Sequence, residues 1–171
     1  MTTTRTSSSR PALKALIALF TGAGVLLTPV AAQANAGSAP APVAAPVAAP
    51  VAAPTAAAQV AVDTALAQLG DAYVWAGAGP DVFDCSGLTQ FAYRAAGIEL
   101  PHSSRMQSTM GTPVARADLQ PGDLIFFYSP VGHVGMYIGN GQMVHAPTAG
   151  SVVSIINVDS MPGWHNAMRL A

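Results

Sequence analysis

Phe83-Asp84-Cys85-Ser86-Gly87-Leu88 is the stretch on which the reading of this chain turns, because it holds the only cysteine in 171 residues. Asp84 is a strong helix N-cap residue, since its carboxylate can accept from the unpaired N–H groups of a first turn. Leu88, Phe91, Ala92 and Ala95 follow at helical spacing, and Gly97 can take the left-handed conformation that closes a helix. Cys85 then falls in the first turn, on the core-facing stripe. The amide groups and positive dipole of a helix N-terminus favour thiolate over thiol. A free cysteine is also a common small buried hydrophobe. This stretch by itself leaves both readings standing.

The residues on its N-terminal side shift the balance. Arg5, Arg10 and Lys14 are the only charges among the first thirty residues, followed by an apolar run over 15–27, Pro29 and the small-residue site Ala34-Asn35-Ala36. That layout predicts a secretory signal peptide, residues 1–36, cleaved after Ala36. Gly22, Gly24 and Pro29 argue against a stable spanning helix in so short a run. Structural cysteines of exported proteins pair, so a lone exported thiol points to chemistry. Without the signal peptide the chain carries eight acidic and four basic side chains, a net charge of −4 where the whole sequence has −1. Such a surface has no basic footprint for nucleic acid. No second apolar segment is long enough to cross a bilayer, so no stable membrane insertion is expected after cleavage.

Residues 37–58 are almost entirely Ala, Pro and Val, with Ala-Pro-Val-Ala recurring every four residues from Ala41. Proline at that period forbids a helix, and nothing there can build a core, so the segment reads as an extended, disordered spacer. Residues 59–171 suffice for one compact domain. Val62, Leu66 and Leu69 space a first helix ending at Gly70, and a short helix is expected over 103–110. The period then changes. Gln120-Pro121-Gly122-Asp123 fits a type II turn, and strands are expected over 124–128, 133–138, 142–146, 152–156 and 166–170. Helices first and strands afterwards give an α+β fold.

A cysteine hydrolase needs a histidine to move the proton and a third group to orient the imidazole. His133 and His145 lie on the two strands of a predicted hairpin. A two-residue turn at Asn140-Gly141 would pair Met136 with His145 and put the two histidines on opposite faces. A three-residue loop, Gly139-Asn140-Gly141, pairs Gly135 with His145 and makes the two histidines diagonal neighbours on one face. The three-residue loop is therefore the expectation. His102 and His165 read as hydrogen-bonded structural histidines.

At this point the residues carry a resemblance. Phe83 to Leu88 of the opening motif, Leu100-Pro101 with Ser104, Leu119-Gln120-Pro121-Gly122-Asp123-Leu124, His133-Val134-Gly135-Met136-Tyr137-Ile138-Gly139 and His145-Ala146-Pro147 together resemble the NlpC/p60-type family of bacterial cell-wall peptidases, in the family's order. The resemblance implies a papain-like fold in which the nucleophile helix packs on an antiparallel sheet. It implies hydrolysis of peptidoglycan stem peptides, typically between D-glutamate, linked through its side-chain carboxyl, and a diamino acid such as meso-diaminopimelate. Carried over by position, Cys85 is the nucleophile, His133 the base and then acid, and His145 the orienting residue. The Cys85 N–H and, by similarity, Tyr73 would stabilise the oxyanion, and Asp84 and Ser86 match substrate-contacting positions of some relatives. Two departures stand out. The family usually has Trp-Gly-Gly where this chain has Trp75-Ala76-Gly77, and a basic residue often follows Leu-Pro, where His102 makes the charge depend on pH.

The expectation is a secreted, cell-wall-associated thiol peptidase that needs no cofactor or metal, with an activating protein partner left open. Two rivals remain. Cys85, His133 and His145 could ligate zinc with an open fourth position, and the domain could be a non-catalytic or partner-activated peptidoglycan-binding protein.

Overall fold

The computed structural model describes residues 51–171. The expected signal peptide and the spacer up to residue 50 lie outside the described residues. Thr55 caps the first helix through its hydroxyl, which accepts from the Ala58 N–H, and α1 (Ala56–Leu66) follows. The helix thus begins three residues before the expected domain start. Residues 56–58, read as spacer, are its first turn, and Ala58 is buried. Past the last proline of the run, Pro54, nothing prevents the alanines from following their strong helix propensity.

A short parallel pair comes next, β1 (Ala72–Tyr73) beside β2 (Val82–Phe83), which the sequence did not announce. It leads directly into α2 (Cys85–Ala95), capped as expected by Asp84, whose side chain accepts from the Gly87 N–H. After α3 (Ser104–Gln107) come β3 (Thr112–Pro113), β4 (Leu124–Phe127), β5 (His133–Gly139), β6 (Gln142–His145), β7 (Ser154–Asn157) and β8 (Trp164–Arg169). The expected helix over 103–110 is shorter, and β3 is an edge strand that was not foreseen.

These last six strands form one sheet in the order β3-β8-β4-β5-β6-β7, antiparallel throughout. The fold is α+β, with the cysteine-bearing helix on an antiparallel sheet. Both faces of the sheet are covered. Leu124, Phe126, Val134, Met136 and Val144 pack with Leu88, Ala92 and Tyr93 of α2 and with α1. Ile125, Phe127, Met143 and Ala167 form a second, smaller core on the other face. Burial on both sides is why β4 reads as an unbroken apolar run rather than an alternation. At the turn before β4, Gly122 has φ +100° and the Asp123 N–H bonds to the Gln120 carbonyl, the type II geometry expected there.

The β5–β6 hairpin corrects one expectation. Gly139 pairs with Gln142, so the loop is the two-residue turn Asn140-Gly141, both residues at positive φ. The pairing then shifts at Ile138, and Tyr137 pairs with Met143 and Met136 with Val144. A β-bulge in the strand does what a three-residue loop would have done: both insert one residue and leave Gly135 opposite His145.

Candidate active site

Asp84 organises the site locally. Its Oδ1 accepts from the Gly87 N–H at 2.7 Å, the Ser86 hydroxyl at 3.1 Å and the His102 ring at 2.8 Å, while Oδ2 accepts from the Ala76 N–H at 3.0 Å. One carboxylate thereby ties the helix start to the loop before β2 and the loop before α3. Ala76 has φ +60°, a region costly for a residue with a Cβ and open to glycine. Its bond to Asp84 helps offset that strain. Gln107, fully buried, clamps the same region by donating to the Ser86 and Pro101 carbonyls and accepting from the Thr89 hydroxyl.

Cys85 is half-buried at the start of α2. Its sulfur lies against the amide groups of Val134, Ser86 and Cys85 itself, which places it beside the residue that follows His133 in β5. These amides favour the thiolate, as expected of a helix N-terminus. Burial outweighs them, and the Asp84 carboxylate adds to the burial, so the thiol is pushed above its ordinary range. The sequence-based expectation of an acidified thiol is reversed, because a helix N-terminus acts against the desolvation of its own site.

His133 and His145 are both buried, and their rings meet as the shared face requires. His133 Nε2 lies 2.9 Å from His145 Nδ1, with the ring planes nearly perpendicular. Phe127 covers His133 at a centroid distance of 6.1 Å. Burial lowers both imidazoles to about 4, the proximity of His145 adding to the effect on His133. Both rings are therefore neutral at pH 7. Two imidazoles bonded to each other do not present these nitrogens to a common ion. Among the described residues no group of three His, Cys, Asp or Glu side chains is placed to hold a metal.

The site opens on a cleft of about 280 Å³. Asp84, Cys85 and Ser86 line it from the helix, Trp75 and Ala76 from one loop, and 102–104 from another. Trp75 is 82% exposed on its rim. Tyr73 stands close enough to Cys85 and Asp84 for their negative charge to reinforce the effect of burial in raising its phenol. Cys85, Asp84 and Ser86 thus gather around one opening, with the two histidines packed out of solvent. Ser86 spends its hydroxyl on Asp84. The residue that sequence reasoning underrated is His102, read as structural but placed in the cleft on Asp84. Its one available signal was its position after Leu100-Pro101.

Comparison with known proteins follows this geometry. The NlpC/P60 family model matches residues 70–170. A probable endopeptidase of Mycobacterium tuberculosis is 50% identical over 108 residues, covering 63% of this chain and 28% of that protein. Among solved structures, an NlpC/P60 family protein from Bacillus cereus is 42% identical with a TM-score of 0.63, covering 68% of this chain and 41% of that one. The NlpC/p60 domain of the peptidoglycan hydrolase SagA is 32% identical with a TM-score of 0.62, covering 66% of this chain and 98% of that domain. This chain spans less than a third of the mycobacterial relative's length.

Proposed function

This chain belongs to the NlpC/P60 family, and from that premise we propose that it is a cysteine endopeptidase of peptidoglycan stem peptides, cutting between D-glutamate and the diamino acid. The observation that carries the reading is the His133–His145 hydrogen bond behind a thiol that lines an open cleft. In the active tautomer His133 donates its Nε2–H to His145 Nδ1, which leaves Nδ1 of His133 as the base. His145, being neutral, fixes that tautomer without adding negative charge.

The resting pair is neutral thiol and neutral imidazole, so proton transfer accompanies attack. As the Cys85 sulfur bonds to the γ-glutamyl carbonyl carbon, its proton passes to His133 Nδ1. The negative oxygen is received by the Cys85 N–H, with Tyr73 alongside. His133 then protonates the leaving amine as the C–N bond breaks, forming a thioester. Water, deprotonated by His133, attacks that thioester and releases the acid and the thiol. The Ala/Pro/Val spacer and the signal peptide fit export to the cell wall, with the spacer holding the domain away from its point of emergence.

The test is incubation of the purified protein and its Cys85→Ala variant with a defined muropeptide, analysed by mass spectrometry. Scission at the D-glutamyl bond by the wild type, absent in the variant, is the expected result. An intact substrate with both proteins would replace this reading with a binding role or a need for an activating partner.

A further inference from the structure

We propose that a groove at the hairpin end of the sheet is the seat of the chain's own spacer, and that its occupant is the unit Pro46–Pro50, just upstream of Val51. The spacer is then a docked strap over its last two units and a free tether only before them. The inference stands on this face of the domain and is independent of the peptidase reading.

The argument starts from the end of the spacer that the structure describes, which is held. Val51 rests on Gly139 so closely that a Cβ there would lie 2.7 Å from the valine Cβ and 3.7 Å from the Pro121 ring. Two residues on, Ala53 donates its N–H to Gln59 Oε1 at 2.8 Å, and that carboxamide is itself oriented by donating to Asp63. Thr55 then caps α1. The sheet thus fixes one end of the strap and α1 the other.

The seat extends beyond Val51. A groove of about 400 Å³ lies between strap and domain, walled by Leu119 and Pro121 of the turn before β4 and by Tyr137 and Gly139 of β5. No charged residue lines it. The Tyr137 hydroxyl accepts from the Gly141 N–H at 3.0 Å, which fixes the ring as a wall. Val51 is still 43% exposed, so its seat covers little more than half of it.

The chemistry of the groove selects the occupant. Pro46-Val47-Ala48-Ala49-Pro50 repeats, residue for residue, the seated stretch Pro50-Val51-Ala52-Ala53-Pro54. It is uncharged like the groove, and it is joined covalently to Val51, so its effective concentration there is high. A chain with proline at every fourth position is already extended, and such segments dock against aromatic and apolar walls at little entropic cost. The placement has a consequence for the cleft. Gly139 lies six residues beyond His133 in β5, about 20 Å at the rise of a strand. The free part of the spacer therefore leaves the domain at the end of the sheet remote from Cys85, and is kept from lying across the cleft.

The sequence supplies its own control for the experiment, because Val43-Ala44-Ala45 and Val47-Ala48-Ala49 are identical triplets, each set between two prolines. Backbone ¹⁵N relaxation of the chain from Gly37 to Ala171 reads both in one sample. The expected order parameters are about 0.85 for 47–49, as in a rigid backbone, and below about 0.6 for 43–45. In Val47→Asp, which brings a charge to an uncharged groove, residues 47–49 fall to the level of 43–45. The amides of Leu119, Tyr137 and Asn140 shift in that variant, while those of α2 stay in place. Position 47 precedes every element of the fold, so the substitution leaves the core intact. Equal disorder of the two triplets in the wild type overturns the inference, as does a Val47→Asp variant whose groove amides do not move. Order at 47–49 that is lost on dilution gives the groove to the spacer of a second copy, and overturns it too.

Discussion

Cys85 is where two general effects meet and one prevails. Three amides lower the thiol's pKa, and burial with the Asp84 carboxylate raises it further. Opposite it, His133 is held near 4. An ion pair would need both groups shifted the other way. The prediction is that iodoacetamide alkylates Cys85 slowly at neutral pH and faster only in alkaline solution, since burial disfavours the thiolate that reacts. Rapid alkylation, constant from pH 5 to pH 8, would be the signature of a preformed thiolate–imidazolium pair and would sink this account.

At the scale of elements, the position of α2 is set by a glycine. A Cβ on Gly87 would lie 1.9 Å from the Gly77 carbonyl oxygen, a backbone atom that cannot swing aside, so the first turn of the helix rests directly on that loop. Gly87→Ala should therefore displace the turn that carries Cys85. The expected result is a loss of about 2–4 kcal/mol in urea unfolding and a fall in turnover of about a hundredfold from misplacement alone. Gly97→Ala, near the other end of the helix at φ +79° with open space around it, is the control: about 1 kcal/mol of strain with turnover unchanged. Full activity in Gly87→Ala would show that the helix is held by something else.

Elements with local signals were legible in the sequence. The Asp84 cap, the turn around Gly122 and the strands of the β4–β6 meander all follow from patterns within ten residues. The requirement that His133 and His145 share a face gave the right register, although a bulge at Ile138 meets it in place of a longer loop, because sequence fixes how many residues must be inserted and not where. The β1–β2 pair and β3 are two-residue strands, too short to show a period. The His102–Asp84 contact joins positions 18 residues apart through the packing of two loops, and the reversal at Cys85 depends on desolvation, which only the assembled site reveals.

For the whole molecule, the two histidines that serve the site place a burden on the fold. Both are buried and neutral, held near 4 where an unfolded chain would have them near 6.5. The unfolded state therefore binds up to two more protons than the folded state between those values. Stability rises with pH wherever the unfolded state binds more protons. The contribution is complete above about pH 6.5 and is lost as pH falls toward 4. The expected loss by pH 4.5 is on the order of 3 kcal/mol, a fall in Tm of about 10 °C for a domain of this size. Differential scanning fluorimetry of the wild type at pH 7.0, 5.5 and 4.5 should show that decline. His133→Gln and His145→Gln should each flatten it, since glutamine keeps polar contact and cannot take up the proton. A wild-type Tm unchanged across this range would mean that the native rings take up protons as readily as those of the unfolded chain, and a Tm that rises as pH falls would mark a preformed imidazolium; either would remove the basis of the neutral pair, so the thermal curve tests the chemistry without any substrate.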